Sequence, residues 1–124
     1  MKMNQKGRGN DYFETPNYIF YQLDAIFNFQ FDVACTDNLN SKCPYYITEE
    51  RNALEAHWYG RCFCNPPFSK KAEFIRKADA EVQNGECDIC VMILPLNSMD
   101  TKVFHDVVIG GGIIMRYSKG ELPL

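Results

Sequence analysis

The four residues Asn65-Pro66-Pro67-Phe68 are the part of this chain best equipped for chemistry. The exocyclic amine of a nucleobase is a poor nucleophile, because its lone pair is delocalised into the ring. A protein that alkylates such an amine must localise that pair and aim it at the donor. Two acceptors achieve this: the Asn65 side-chain oxygen and the Pro66 carbonyl can each take one N–H, setting the lone pair along the line of transfer. Pro66 and Pro67 stiffen the loop, so the acceptors need little reorganisation. Phe68 offers a flat face for a base swung out of its stack, worth about 1–3 kcal/mol in comparable single-strand sites. This chemistry requires no metal. The same four residues also read as a proline turn whose aromatic packs in a core, so their place in the fold decides between the two.

The elements around the motif can be read from hydrophobic period and turn residues. Thr15-Pro16 announces a first helix, with a hydroxyl able to cap orphan amides and a proline suited to the first helical position. Ile19, Phe20, Leu23, Ile26 and Phe27 repeat at helical spacing, and Asn28 is a stop. Phe29, Phe31 and Val33 alternate with Gln30 and Asp32, predicting a strand that ends near Ala34 with Asp32 at its C-terminal end. Tyr45-Tyr46-Ile47 reads as a short second strand, and Glu49 to Trp58 as a helical turn delivering Leu54 and Trp58 to the core. Arg61 to Cys64 forms a third strand, which the two prolines must break. Ser69 can cap the next helix, whose Ala72, Ile75, Ala78 and Val82 are expected to be buried while Lys71, Lys77 and Glu81 face water. Gly85 ends that helix. Ile89 to Leu94, closed by Pro95, suits a parallel strand covered on both faces. Asp100 is placed to cap a short helix through Val108, and Ile113 to Tyr117 reads as a last strand. Helices alternating with strands imply a parallel α/β sheet, in which ligands bind beyond the carboxyl ends of strands. Asp32 and Asn65 are both expected there.

A length of 124 residues with 46% hydrophobic content fits one domain, which buries about two-thirds of its unfolded surface. Residues 1–10 are expected to be a flexible basic arm and residues 11–124 the domain. The arm carries Lys2, Lys6 and Arg8 with no apolar segment behind them, so it reads as neither signal peptide nor membrane anchor, and a soluble, intracellular protein is expected. A net charge of −3 argues against tight nonspecific coating of nucleic acid. Any DNA contact must therefore be local, at the arm or at Lys70, Lys71, Arg76 and Lys77; solvated surface is the plainer reading of both.

Six cysteines stand at positions 35, 43, 62, 64, 87 and 90. Without a secreted context, reduced thiols are the default. Cys87-Asp88-Ile89-Cys90, taken with Cys62, Cys64, His57 and His105, has spacing that zinc could use. Cys90 nevertheless falls inside an apolar strand, and Cys62 and Cys64 share one strand face, so buried small hydrophobes account for them better. A redox role fits less well, since such a pair should open a helix rather than enter a strand. His105 reads as a packing or hydrogen-bonding residue at a helix end, and Trp58, Tyr45 and Tyr46 as core or pocket lining.

Taken together, Asp11-Tyr12-Phe13-Glu14-Thr15-Pro16, Phe31-Asp32-Val33-Ala34-Cys35, Lys42-Cys43-Pro44-Tyr45-Tyr46, Asn52-Ala53-Leu54 with Trp58, Cys64-Asn65-Pro66-Pro67-Phe68, Leu94-Pro95, Asp100-Thr101 with Phe104-His105, and Lys119-Gly120 are far more specific than the tetrapeptide. With these segments the chain resembles the phage DNA N6-adenine methyltransferase (Dam-like) family from about Asp11 to Gly120. The resemblance implies a Rossmann-like three-layer sandwich with a mostly parallel sheet, and S-adenosylmethionine as methyl donor to adenine in double-stranded DNA. It also implies a bacterial host cytoplasm as the place of action. Asn65, Pro66, Pro67 and Phe68 carry over as the catalytic motif, with Phe68 where Tyr is more frequent. Thr15, Pro16, Asp32 and Ala34 carry over as donor-binding residues; Lys70 and Lys71 are candidates for phosphate contact by their charge and place beside the motif rather than by the resemblance. Asn52 stands where such enzymes often carry an Asp that accepts from the donor's adenine. No Gly-rich turn follows Asp32. The chain ends at Leu124 where relatives continue into further sheet, so the last strands are expected to be missing, with a partner chain or a homodimer completing the sheet. The alternative expectation is a shortened, catalytically inactive module of the same fold that binds cofactor, DNA or protein.

Overall fold

The computed structural model describes residues 14–37, 40–95 and 101–109. The expectations for the N-terminal arm, for Asp100 as a cap, for the strand Ile113 to Tyr117 and for Lys119-Gly120 lie outside these residues.

Four parallel strands form the sheet: β1 (Phe31–Cys35), β2 (Tyr45–Thr48), β3 (Gly60–Cys64) and β4 (Cys87–Met92), in the order β2-β1-β3-β4. Helix α1 (Asn17–Phe27) precedes β1 and helix α2 (Lys71–Gln83) joins β3 to β4. This is an α/β, Rossmann-like architecture. Asp32 to Cys35 are all buried, as expected of a central parallel strand covered on both faces. On one face Ile19, Phe20 and Leu23 of α1 pack with Phe29, Cys43 and Phe63; on the other, Val33, Ile47, Trp58, Cys62, Cys64 and Phe74 form the second core cluster. Phe20 meets Phe63 edge to face with ring centroids 5.1 Å apart, a favoured aromatic geometry.

The turn from α1 into β1 is tightly specified. Asn28 stops the helix in the left-handed region at φ 53°, its N–H donating to the Asp24 carbonyl, and the Phe29 N–H reaches the Asp24 carboxylate at 2.7 Å. Beside it, the Gln30 side-chain oxygen accepts the Arg61 N–H at 3.1 Å, and a Cβ at Gly60 (φ +67°) would collide with that same oxygen. Gly60 thus lets β3 start flush against β1. Gly85, at φ 88°, follows the end of α2 as the sequence predicts.

Several local expectations are corrected. Thr15 does not cap α1: the capping position is Pro16, without a side-chain cap bond. Ser69 does not cap α2 either, because a 3-10 turn, Phe68–Lys70, intervenes and Lys70 holds the capping position. Asp32 is the second residue of β1, not its end, because the strand runs on to Cys35. Ile26 is half exposed, and Tyr45 at the β2 edge is exposed. Glu49 to Trp58 contains a 3-10 turn, Glu49–Arg51, and Trp58 does reach the core, with no exposure at all. His105 is exposed.

The largest correction concerns α2, which buries Phe74, Ile75 and Glu81 while Ala72 and Val82 face water. Phe74 has more apolar surface to hide than Ala72 and Val82 lose, so the helix turns to bring it beside Trp58. That rotation carries Glu81 inward, where its carboxylate accepts the Trp58 N–H at 2.7 Å and the Lys77 ammonium at 3.1 Å. Lys77 also lies 6.0 Å over the Trp58 ring. Burial opposes ionisation of Glu81, but the Trp58 N–H and Lys77 outweigh it and hold its pKa below the ordinary value. Glu81→Ala should destabilise the fold by about 3 kcal/mol, read as a lowered urea midpoint, since it strands the Trp58 N–H and the Lys77 charge. Because the folded pKa is depressed, Glu81 contributes its stability above its ordinary value of 4.5 and loses it as pH falls through the lower folded value. The variant's deficit should therefore shrink in acid.

Candidate active site

Strands β1 and β3 run parallel with Asp32 opposite Phe63, so the residues leaving β3 emerge at the edge Asp32 faces. Phe63 and Asn65, two apart, fall on the same side as α1 by the alternation of a strand. Asn65 is the first residue beyond β3, and its Nδ2 donates to the Thr15 hydroxyl at 3.0 Å. Thr15 is buried and stands just before the capping proline of α1. One hydrogen bond therefore joins the two sequence motifs, and it accounts for the hydroxyl that does not cap the helix.

Asp32 is 4% exposed. Its Oδ1 accepts the Ala34 N–H at 3.3 Å and its Oδ2 the Lys42 N–H at 2.9 Å. Burial pushes its pKa up, and the Lys42 and Ala34 amides with the Lys42 charge only partly pull it back. Thr15, Asp32, Ala34, Lys42, Phe63 and Asn65 share the walls of one cavity of about 30 Å³, room for roughly one water molecule. A second cavity of about 280 Å³ shares Glu14, Asn40 and Lys42 with the first and extends over Asn17, Phe20 and Tyr21. Lys42, whose ammonium donates to Asn17 Oδ1 at 2.7 Å, stands between them. The second cavity approaches the lower end of small-ligand sites, about 300 Å³.

Four of the residues singled out by sequence, Thr15, Asp32, Ala34 and Asn65, thus meet in one place. Pro16 is exposed beside them; Pro66 and Pro67 are buried behind Asn65, and Phe68 is half-buried at the start of the 3-10 turn. Lys70 is exposed and Lys71 half-buried, both next to the motif. Arg76 instead lies 3.8 Å from Asp106, and Lys77 is turned inward to Glu81. The structure does not bring Asn52 into the cavity: it is exposed in the left-handed region after the 3-10 turn, and its Oδ1 accepts the Leu54 N–H. Sequence reasoning missed Glu14, Asn40, Lys42 and Phe63 as wall residues. Phe63 was discoverable from its two-residue spacing to Asn65, while the Lys42 contact uses a backbone N–H and leaves no trace in residue type.

The cysteines line the sheet. Cys62 and Cys87 bring their sulfurs to 3.6 Å across β3 and β4, and burial pushes the thiols of Cys35 and Cys43 up to about 12. Among the described residues, the grouping with metal-ligand spacing is His57, Glu81 and Glu86, where both Glu81 oxygens already hold partners.

The family described as DNA N-6-adenine-methyltransferase (Dam) matches residues 2–109. The chain belongs to the Dam family. Among its curated relatives, the DNA N-6-adenine-methyltransferase of Haemophilus phage HP1 is 38% identical over 79 residues, covering 62% of this chain and 46% of that protein. YfdM of Escherichia coli (strain K12), named as a candidate methyltransferase, is 38% identical over 66 residues, 47% of this chain and 71% of that protein. The chain thus spans about half the length of the phage relative it matches. No solved structure matches it significantly. In this Dam-family chain no helix among the described residues is long and apolar enough to cross a membrane.

Since Asp32 accepts two amides from the segment that walls the cavity, Asp32→Ala should accelerate hydrogen exchange at Lys42 and Ala34 by about tenfold while β3 and β4 amides hold their protection. Unchanged exchange at Lys42 would show that the carboxylate does not organise the loop.

Proposed function

We propose that this Dam-family chain methylates the N6 amine of adenine in double-stranded DNA, with S-adenosylmethionine as donor, in the cytoplasm of a bacterial host. The observation that carries this reading is the convergence of Asn65, at the mouth of the sheet, with Asp32 and Thr15 around one cavity. What supports the cofactor is the buried Asp32 carboxylate, which can accept from hydroxyl or ammonium groups, beside a larger, mostly polar opening that Phe20 and Tyr21 help to wall. Bound there, S-adenosylmethionine supplies an electrophilic methyl group on a sulfonium. The protein's share is positioning. Asn65 Oδ1 and the Pro66 carbonyl accept the two N–H groups of the amine and localise its lone pair for in-line attack. Buried Pro66 and Pro67 hold that loop still. Phe68 stacks the flipped base, Asp32, Ala34 and the Thr15-Pro16 turn hold the donor, and Lys70 and Lys71 meet phosphate. The amine sheds its extra proton to solvent after transfer, so no dedicated base is required.

Labelled S-adenosylmethionine incubated with the protein and adenine-containing duplex DNA should yield labelled N6-methyladenine. Asn65→Ala should lower that rate at least about a hundredfold, as for loss of a preorganised polar group at a reacting centre, with fold and donor affinity by calorimetry nearly unchanged. Equal activity in the variant would remove Asn65 from the chemistry. Donor binding without any turnover by the wild-type chain would assign the fold to binding alone.

A further inference from the structure

We propose that Lys42 and Glu14 read the amino-acid end of the methyl donor, Lys42 pairing with its α-carboxylate and Glu14 with its α-ammonium. The inference rests on the proposed function and gives a role to two wall residues which that function leaves unused. S-adenosylmethionine carries one anionic group, the α-carboxylate, and two cationic ones, the α-ammonium and the sulfonium. The described walls of the two adjoining cavities carry the opposite set: one cation, Lys42, and two acids, Glu14 and Asp32. Charge complementarity of this kind separates a ligand from its near relatives. The adenosine end of the donor is uncharged, so the single ammonium on the walls has one anionic group to meet.

Lys42 and Glu14 wall both cavities, whereas Asp32 walls only the small one. The Lys42 ammonium donates to a neutral partner, Asn17 Oδ1, at 2.7 Å, and Asn17 walls the larger opening too. Among the described residues no carboxylate lies in ion-pair contact with Lys42, and no hydrogen bond or ion pair engages the Glu14 side chain. Both residues are half-buried, where an opposite charge counts for more than at open surface. An ammonium and a carboxylate that share a cavity without pairing to each other suit a ligand that brings both signs. The Lys42 backbone is held separately, its N–H donating to Asp32 Oδ2 at 2.9 Å, so the side chain can be altered without removing that bond.

Calorimetry with S-adenosylmethionine and with decarboxylated S-adenosylmethionine, which lacks the carboxylate alone, tests this. The wild-type chain should bind the decarboxylated form about tenfold more weakly, the scale of one charge-assisted hydrogen bond. Lys42→Met keeps the aliphatic stem and removes the charge. It should weaken S-adenosylmethionine by about tenfold while leaving the decarboxylated form within about twofold, so that the second ligand reports whether the cavity is intact. Lys42→Arg should retain most of the affinity for S-adenosylmethionine. Glu14→Gln should instead weaken both ligands by a similar factor of about ten, since both keep the ammonium.

Equal binding of the two ligands by the wild-type chain would overturn the proposal, because nothing would then be reading the carboxylate. So would a Lys42→Met penalty common to both ligands, which would make Lys42 a support of the loop only. A Glu14→Gln variant that binds both ligands as the wild type does would overturn the assignment of Glu14. If the decarboxylated form falls below detection, retention of S-adenosylmethionine binding by Lys42→Arg with its loss in Lys42→Met decides for the carboxylate contact, and equal affinities decide against it. Absence of S-adenosylmethionine binding by the wild-type chain would refute the proposed function together with this assignment. Binding that depends on Lys42 without methyl transfer to DNA would uphold the assignment and refute the transfer alone.

Discussion

Parallel strands deliver their carboxyl ends to one edge of a sheet, and the pairing of β1 with β3 makes that edge a site. With Asp32 set opposite Phe63, a buried carboxylate and the start of the Asn-Pro-Pro-Phe loop are brought together although more than thirty residues of chain, by their numbers, separate them. The chain provides the remaining contact by passing the segment before α1 over the same edge, where Thr15 accepts the Asn65 amide. None of these residues is sequence-local to another, so the constellation exists only because the strand order puts β1 between β2 and β3. In such a sheet the middle strands are covered on both faces, and polar groups at their ends must find partners within the protein. Asp32 does so with two backbone amides.

The two buried carboxylates of the fold illustrate different solutions to the same cost. Asp32 meets mainly amides in a small enclosed space, and burial prevails: its pKa rises. Glu81 meets an amide and an ammonium together, and the paired charge prevails: its pKa falls. The first lies at the wall of the cavity, with one backbone amide on each oxygen and no ammonium bonded to it. The second sits under Trp58, where full pairing ties α2 to the segment entering β3.

Much of this was legible in the sequence because it depends on residue type and period. The four strands and two helices follow from the alternation at Phe29 to Val33, the apolar run at Ile89 to Leu94 and the breaks at Asn28, Pro66-Pro67 and Gly85. Asn65 was placed just beyond its strand for the same reason, whereas Asp32 proved to be the second residue of β1 rather than its end. What escaped depends on relative size and on backbone partners. The side of α2 that turns inward is chosen by Phe74 competing with alanines, a comparison that periodicity alone does not weigh. Thr15 looked like a cap because threonine before proline commonly is one; only the three-dimensional neighbour, Asn65, shows the hydroxyl's other use. Asn52 matched a family position yet spends its oxygen on Leu54, a local turn that a spacing pattern cannot distinguish from a ligand contact.

The missing side chain at Gly60 has a reach well beyond its own turn. Gln30 occupies the space a Cβ would need and grips the next amide, so a side chain at position 60 must push Gln30 aside and hold a backbone conformation, φ +67°, that L residues rarely adopt. A strand is a stiff ruler of about 3.3 Å per residue, so fixing its zero mark fixes where its far end falls. A side chain at position 60 would loosen the Gln30 grip on the Arg61 amide at the floor of the sheet, at the far end of the strand that leads to Asn65. The end of the strand that leads to Asn65 is in this sense anchored from the opposite end by the one residue that has nothing to offer but its absence of bulk.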